Sequence, residues 1–581
     1  MPIYLLQQAE RITESEVDIE KKKQELYSEI DAFQIKAKTQ VNKLKKFLSE
    51  RYIWKLEKMD YALRNEYEQY LKANLTESKV YVYLKVYDTL AKQYIYQQIQ
   101  TLSGKRIYEW KYRNEVIFLR YYPDPKVAEK YEYVKNLDIL VWDFTKKCSE
   151  VLKKQIFYTL SHIAVNSEIS AVYRNNRLKA LKSFYDSCVQ LNVSDVGLIE
   201  MQQLEIILNN FSGKAQRSIV GVCRKDSFVQ QEQIQWEANV WYLERLHLGE
   251  HRIDKSKSLN SISFMEIQEK QNREILQAYM KYELGVTGQA VSTIVHRFIF
   301  IRNFIEMLEQ DKVLVVDATA EEVKKYADDL LERGIQAKGF NERIFGIGHF
   351  YKFMEVRQYI KKVPFRIEYF QQKEVVLHHD RSVEETVYME ILKKLYLFPE
   401  RLRCMFLHLW CLGLRASEVC TLKGNAYYQQ GEDYWIQVYQ VKMKNYKKIP
   451  IPQALYQIMK IYLKKHEIQP EEFIFKNSRG GACLYGTFRT QMIEACRENK
   501  IANGEYLFKS HDYRHTVATM FYDSHVSLQS IRDYLGHTYE EMTRQYVDYM
   551  PQRIAQANDK FFDQQESSLV SWLRKEEQDA K

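Results

Sequence analysis

Glycine and proline are scarce in this chain, 19 and 9 among 581 residues. That leaves little material for turn-dense β architecture and, with abundant Tyr, Lys, Glu and Leu, points to a mainly helical protein. Cysteine is limited to 8 residues with no C-x-x-C pair, which argues against zinc clusters and against a disulfide framework. The thiols read as reduced, mostly buried groups of a cytoplasmic protein. No run stays apolar long enough to cross a bilayer, and residues 1–16 (MPIYLLQQAERITESE) lack a basic region followed by an apolar stretch, so neither membrane spanning nor secretion is expected.

What is there is length and modest basicity. A chain of 581 residues is too long for one core, so three or four domains are expected. The net charge of +9 fits a polyanionic partner without proving one. Residues 9–50 read as an amphipathic helix with Ile12, Ile19, Leu26 and Phe33 at seven-residue spacing and Ile30 and Ala37 between; Glu16 and Lys23 break the seam that a coiled coil would need. Tyr-rich helical segments follow to residue 170, with Pro123 and Pro125 marking a loop. The stretch 177–211 has a layout that recurs at 296–331: an apolar helix, a short linker containing Val and Asp, then a second amphipathic helix. This is either a degenerate duplication of one helical unit or two ordinary helix pairs. Residues 251–263 are the candidate linker, and 363–381, with Pro364, form another.

Chemistry concentrates in residues 507–550. Ser510 can cap a helix whose opening turns carry His511 and Arg514, where free backbone N–H groups favour an anion such as phosphate. A second helix starts near Ser527 and stops at Gly536, so His537 emerges directly from a helix end. Thr538 to Glu541 has the capping-box pattern, and the helix it starts carries Tyr546. Upstream, GLRASE at residues 413–418 places Arg415 at another turn into an apolar helix. Two alternating stretches, 434–439 and 449–451, read as strands of a small sheet, with Lys442, Lys444, Lys447 and Lys448 in the turn between them.

These separated motifs, in this order and spacing, resemble the tyrosine recombinase or phage integrase family; the match is good over about 374–562 and looser before it. The resemblance implies a mainly α, multidomain protein. It would have a helical N-terminal extension (1–260), open to further DNA-binding or interaction roles, and an α-helical core-binding clamp (265–362). A mixed α+β catalytic domain with a small antiparallel sheet (374–562) and a helical tail (563–581) would follow. Family members often pass such a tail to a neighbouring subunit; docking on its own domain is the other option. Clamp cations Arg297, Arg302, Lys338, Arg343, Lys352 and Arg357 are candidates for phosphate contacts and equally for solvated faces. The family's catalytic hairpin lysine corresponds to Lys442 when counted back from the Ile-Pro-Ile at 449–451, with Lys444 as substitute.

The implied reaction is metal-independent cleavage and rejoining of double-stranded DNA through a 3′-phosphotyrosyl ester. Tyr546 is the nucleophile, with Tyr549 as its rival. Arg415 and Arg514 would hold the non-bridging oxygens through planar forks, His537 and His511 would donate or move protons, and Lys442 would protonate the leaving 5′ oxygen. Glu418 would orient these groups. His511 and His515 stand at metal-ligand spacing, but no third ligand is evident; no metal and no cofactor are expected, and His515 reads as a packing residue. The cluster His378, His379 and Asp380 reads as a surface turn. The implied assembly is a homo-tetramer on DNA, with or without a second recombinase, recombining a mobile element. Two other readings stay open: a type IB topoisomerase, which relaxes supercoils without site preference, and a non-catalytic accessory DNA-binding protein.

Overall fold

Helices dominate the protein, as its low glycine and proline content predicts. The computed structural model describes residues 16–211, 213–374 and 381–537 together with Thr543. The chain divides into two units, Met1–Arg245 with Ile262–Gln268, and Leu246–Ser261 with Glu269–Lys581. Among the described residues no helix is long and apolar enough to cross a membrane.

The first unit begins with α1 (Glu16–Ala32) and α2 (Lys38–Glu50). The single helix expected over 9–50 is interrupted because Gln34 takes a left-handed conformation, φ 51°. Leu26 and Ile30, each 1% exposed, face the unit's own core, so the amphipathic-helix reading holds for α1. Next come α3 (Tyr61–Lys72), α4 (Glu77–Gln98) and α5 (Leu102–Asn114). Strand β1 (Val116–Phe118), α6 (Pro125–Glu129) and strand β2 (Val141–Asp143) follow. Pro125, expected in a loop, opens α6 behind the capping carboxylate of Asp124, a position where its missing N–H is harmless. The antiparallel pair β1–β2 was not anticipated, being only three residues a side. The unit continues with α7 (Glu150–Val165), α8 (Ala171–Gln190), α9 (Met201–Asn209), α10 (Lys214–Gln230) and strand β3 (Val240–Tyr242), which pairs with β4 (Ser261–Ser263). Inside the unit Arg64 donates to Asp88 at 2.7 and 3.1 Å, and Tyr121 donates to the same carboxylate at 2.6 Å.

In the second unit, residues 246–261 are no loose linker. Arg252 is buried and donates to the carbonyls of Leu284, Glu283 and Gln289 at 2.7, 3.3 and 2.9 Å, capping the end of α11 (Lys270–Gly285). Helices α12 (Val291–Gln310), α13 (Ala320–Glu332) and α14 (Ala337–Val356) complete a four-helix bundle. The remainder holds α15 (Glu385–Lys394), α16 (Glu400–Leu412), α17 (Ala416–Cys420), strands β5 (Tyr427–Gln430), β6 (Asp433–Gln440) and β7 (Asn445–Pro450), then α18 (Gln453–Lys465), α19 (Tyr485–Glu498), α20 (Ser510–Asp523) and α21 (Leu528–Leu535). The three strands form one antiparallel sheet in the order β5-β6-β7, with Ile436 opposite Ile449 and Val438 opposite Lys447. The sheet corrects the hairpin expected from sequence. The turn is confined to residues 441–444, so Lys447 and Lys448 lie on β7, and Ile451 falls just past its end.

Candidate functional site

Three helix ends and the β6–β7 hairpin make the site. Helix α16 ends at Gly413, whose left-handed φ of 59° lets the chain reverse into α17 with Arg415 as its N-cap residue. Gly536 does the same for α21, at φ 70°, and delivers His537. Space is short at both places as well: a Cβ on Gly536 would stand 2.3 Å from Gln440 Nε2, and one on Gly413 would stand 3.2 Å from Leu535 Cδ2. Helix α20 starts at Ser510, with Lys509 rather than Ser510 at its N-cap and no side-chain cap; His511 and Arg514 do sit on its first turns.

The centre is Arg514, 1% exposed. Its guanidinium donates to the carbonyls of Gly413 and Leu535 at 2.9 and 2.7 Å and to His537 Nε2 at 2.8 Å. A guanidinium only donates, so Nε2 of His537 accepts, and the ring is neutral with its proton on Nδ1, facing Thr543 Oγ1 at 3.0 Å. Burial, then Arg514, Arg415, Lys447 and His511, push the His537 pKa down to about 3. Because Gly413 lies two residues before Arg415, the contact from Arg514 ties the two arginine motifs together.

Glu418, 1% exposed, is the counter-ion. One oxygen accepts from Arg415 Nη1 at 2.9 Å and from Gln440 Nε2 at 3.3 Å; the other accepts from the Arg415 backbone N–H at 3.0 Å and stands 3.5 Å from Lys447 Nζ. Burial alone would raise its pKa, but Lys447, Arg514 and Arg415 outweigh that and hold it lowered. Lys447 and Gln440 also reach the end of α21, at 3.4 Å from the carbonyls of Leu535 and Gly536 respectively. Burial takes the Lys447 pKa down to about 8; Glu418 opposes the shift, and Arg514 and Arg415 add to it.

Arg415, Glu418, Arg514 and His537 are thus brought together as the sequence suggested. His511 lies at the rim, exposed by area, yet loss of solvation and the charges of Arg514, Arg381, Arg415 and Lys442 push its pKa down to about 4. His515 packs edge-on against it, ring centroids 5.0 Å apart. Lys442 is exposed in the hairpin turn, within electrostatic reach of His511, whereas Lys444 donates to the Gly288 carbonyl at 2.7 Å. Tyr546, Tyr549, the capping-box residues 538–541, the tail 563–581 and the cluster of His378, His379 and Asp380 lie outside the described residues. Sequence reading overlooked Lys447, Gln440 and Arg381. A signal for two of them was present: Lys447 is in phase with buried Ile449, and Gln440 with buried Ile436 and Val438, along alternating strands. Of the clamp cations, Arg297, Arg302 and Lys352 are engaged by Glu283, Glu306 and Glu355 at 2.8, 3.1 and 2.5 Å, and Arg343 caps the Gly339 carbonyl at 2.6 Å. Arg357 stacks over Phe353, and Lys338 is exposed. Among the described residues no group of three or more His, Cys, Asp or Glu could hold a metal ion.

Comparison with known proteins places this arrangement. Residues 381–553 match the phage integrase family profile. Over 336 residues the chain is 25% identical to transposase B from transposon Tn554 of Staphylococcus aureus (strain Mu50), covering 56% of this chain and 53% of that protein. The chain therefore spans about half the length of that relative. It is 25% identical over 265 residues to tyrosine recombinase XerC of Oceanobacillus iheyensis, covering 42% of this chain and 80% of that one. Among solved structures, a lambda integrase dimer bound to a COC′ core site is 18% identical, with TM-score 0.38 over 47% of this chain and 94% of that one. XerH site-specific recombinase bound to difH substrate is 15% identical, with TM-score 0.37 over 52% and 92%.

Proposed function

We propose that this chain, whose residues 381–553 match the phage integrase family, is a tyrosine recombinase that cleaves and rejoins duplex DNA through a covalent 3′-phosphotyrosyl intermediate in the movement of a mobile element. The observation that carries the reading is the convergence of Arg415, Arg514 and His537 from motifs about a hundred residues apart, with Arg514 bonded both to the Gly413 turn and to His537. A phosphodiester entering here meets two guanidinium forks suited to its non-bridging oxygens. In the proposed step the Tyr546 phenolic oxygen attacks phosphorus and the bond to the 5′ oxygen breaks. Lys442 supplies the proton for that leaving oxygen, and neutral His511 takes the phenol's proton. The ester keeps the energy of the broken bond for rejoining. Glu418, Gln440 and Lys447 hold the arginines and the α21 end in place. The protein would act as a tetramer on DNA, cleaving from two protomers at a time.

The test is adduct formation on nicked duplexes tiled across the DNA that flanks its gene. The expected result is a covalent protein–DNA species that disappears in Tyr546→Phe while DNA binding persists. An adduct surviving that change would transfer the nucleophile elsewhere, with Tyr549 the next candidate; no adduct from the unaltered protein on any duplex would overturn the assignment.

A further inference from the structure

The four-helix bundle of the second unit has a counterpart in the first. Helices α7 and α11 are both 16 residues long and start 120 residues apart; α8 and α12 are both 20 residues long, again 120 apart. Each set follows a three-residue strand, β2 and β4, at that same offset. All seven buried residues of α7 have a buried counterpart 120 residues on in α11, as do seven of the eight in α8 with α12; Ser187 is the exception. Helical periodicity lets any two amphipathic helices be slid into phase. It does not supply one offset shared by two helices, the strand before them and the turn after them.

That turn repeats in detail. Asn192 and Lys312 both take left-handed conformations, φ 52° and 58°. The N–H of Val193 closes on Cys188 O and that of Val313 on Leu308 O, each at 2.9 Å. A buried amide on the first helix then accepts the N–H of a valine in the linker: Gln155 from Val196 and Asn272 from Val315, each at 2.9 Å. The third helices, α9 and α13, open with capping boxes at Glu200 and Thr319. Four residues separate third from fourth helix in both, and the fourth packs on the second.

The scaffold recurs but its charge does not. Residues 261–350 carry 11 basic and 14 acidic side chains, whereas residues 141–230 carry 12 basic and 8 acidic. In the downstream bundle Lys270, Arg297, Arg302, Lys325 and Arg333 each pair with a neighbouring carboxylate. In the upstream one Lys147, Lys154, Arg177, Lys179, Lys214 and Arg217 have no carboxylate partner among the described residues. Arg177 instead lies over the exposed Tyr173 ring at 4.7 Å. A scaffold whose net charge is positive where its counterpart's is negative suits a polyanion.

We propose that residues 141–230 are a second helical clamp whose ligand is duplex DNA, held through its phosphates; this rests on the reading that the chain acts on DNA. Such contacts release counter-ions, so log Kobs falls against log salt with a slope of about 0.9 per phosphate. The test uses the full-length protein on sheared duplex DNA of mixed sequence, comparing it with a variant carrying Gln at all six positions. The expected result is a slope shallower by about 3 to 5, with an unchanged far-ultraviolet circular dichroism spectrum. If that variant does not fold, Arg177→Gln with Lys179→Gln and Arg217→Gln should flatten the slope by about 2 to 3. An unchanged slope in a folded variant, or a change in self-association in its place, overturns the inference. The nicked-duplex adduct separates the two readings. A flattened slope without any adduct leaves the second clamp standing and removes recombination; an adduct with an unaltered slope removes the clamp alone.

Discussion

Replacing Glu418 by Gln should loosen the whole site while leaving its shape nearly intact. The carboxylate stands 2.9 Å from Arg415 Nη1 and 3.5 Å from Lys447 Nζ. At an effective dielectric of about 20, each contact is worth about 5 kcal/mol in gross attraction. Most of that offsets the desolvation of three charges, so the net worth of the cluster is small. Removing one partner is a different matter, because buried Lys447 and partly buried Arg415 then face an amide that must turn its NH2 toward one donor set or the other. The expected loss is about 3–5 kcal/mol.

The assay is amide hydrogen exchange over β6 and β7, which reports this region without requiring the whole chain to unfold in one step. Protection factors there should fall on the order of a hundred- to several-thousandfold at neutral pH. The pH dependence carries the sign. Glu418 has a lowered pKa in the fold, so its contribution is complete above its unfolded value of about 4.3 and is lost as pH falls through the folded value. The gap between the two proteins should therefore close in acid. Lys447 moves the other way: without its counter-ion its pKa drops below the present value of about 8, and the variant should regain protection as pH rises and the ammonium discharges. Unchanged protection at neutral pH would refute the claim that this carboxylate holds the site together.

Gly536→Ala should destabilise the protein by about 1–2 kcal/mol through its left-handed backbone, with a further clash against Gln440 that Gln440→Ala relieves only in part; thermal melts of the single and double variants check this. Acid should unfold the protein cooperatively with histidine protonation. Burial in the first place holds His408, His515 and His537 at pKa values of about 4, 3 and 3. Between about pH 6.5 and 4 the unfolded chain then binds more protons than the fold, and stability falls with pH. Denaturation midpoints across that range should give the slope, and His515→Asn should remove one proton from it; a flat profile would contradict the burial.

Much of the site was legible because its motifs are local. A glycine after an apolar helix, an arginine at the next N-terminus and a His-x-x-Arg on a first turn each follow from short-range rules: α16 and α21 stop at their glycines and α17 starts behind Arg415, while α20 starts one residue early, with Lys509 at its N-cap. Mixed signals produced the misses. The six-residue strand β7 carries two lysines at its centre, and composition reads NYKKIP as a polar turn although its alternation already put Lys447 on the inner face. Strands of three residues, β1 to β4, fall below any periodic signal, and Gln34 breaks a helix whose seven-residue pattern runs straight through it. The repeat shows the same division from the other side. Its sequence trace is faint because the buried positions changed identity freely, Ile156 against Leu276 and Leu160 against Met280. What persisted is burial at every inward position of the first helix and the backbone geometry of one turn. Cores tolerate exchange among apolar side chains of similar size, so packing register outlives residue identity, and only coordinates expose it. Surface charge is under no such constraint, which is why the two helical sets can share a fold and differ in net charge.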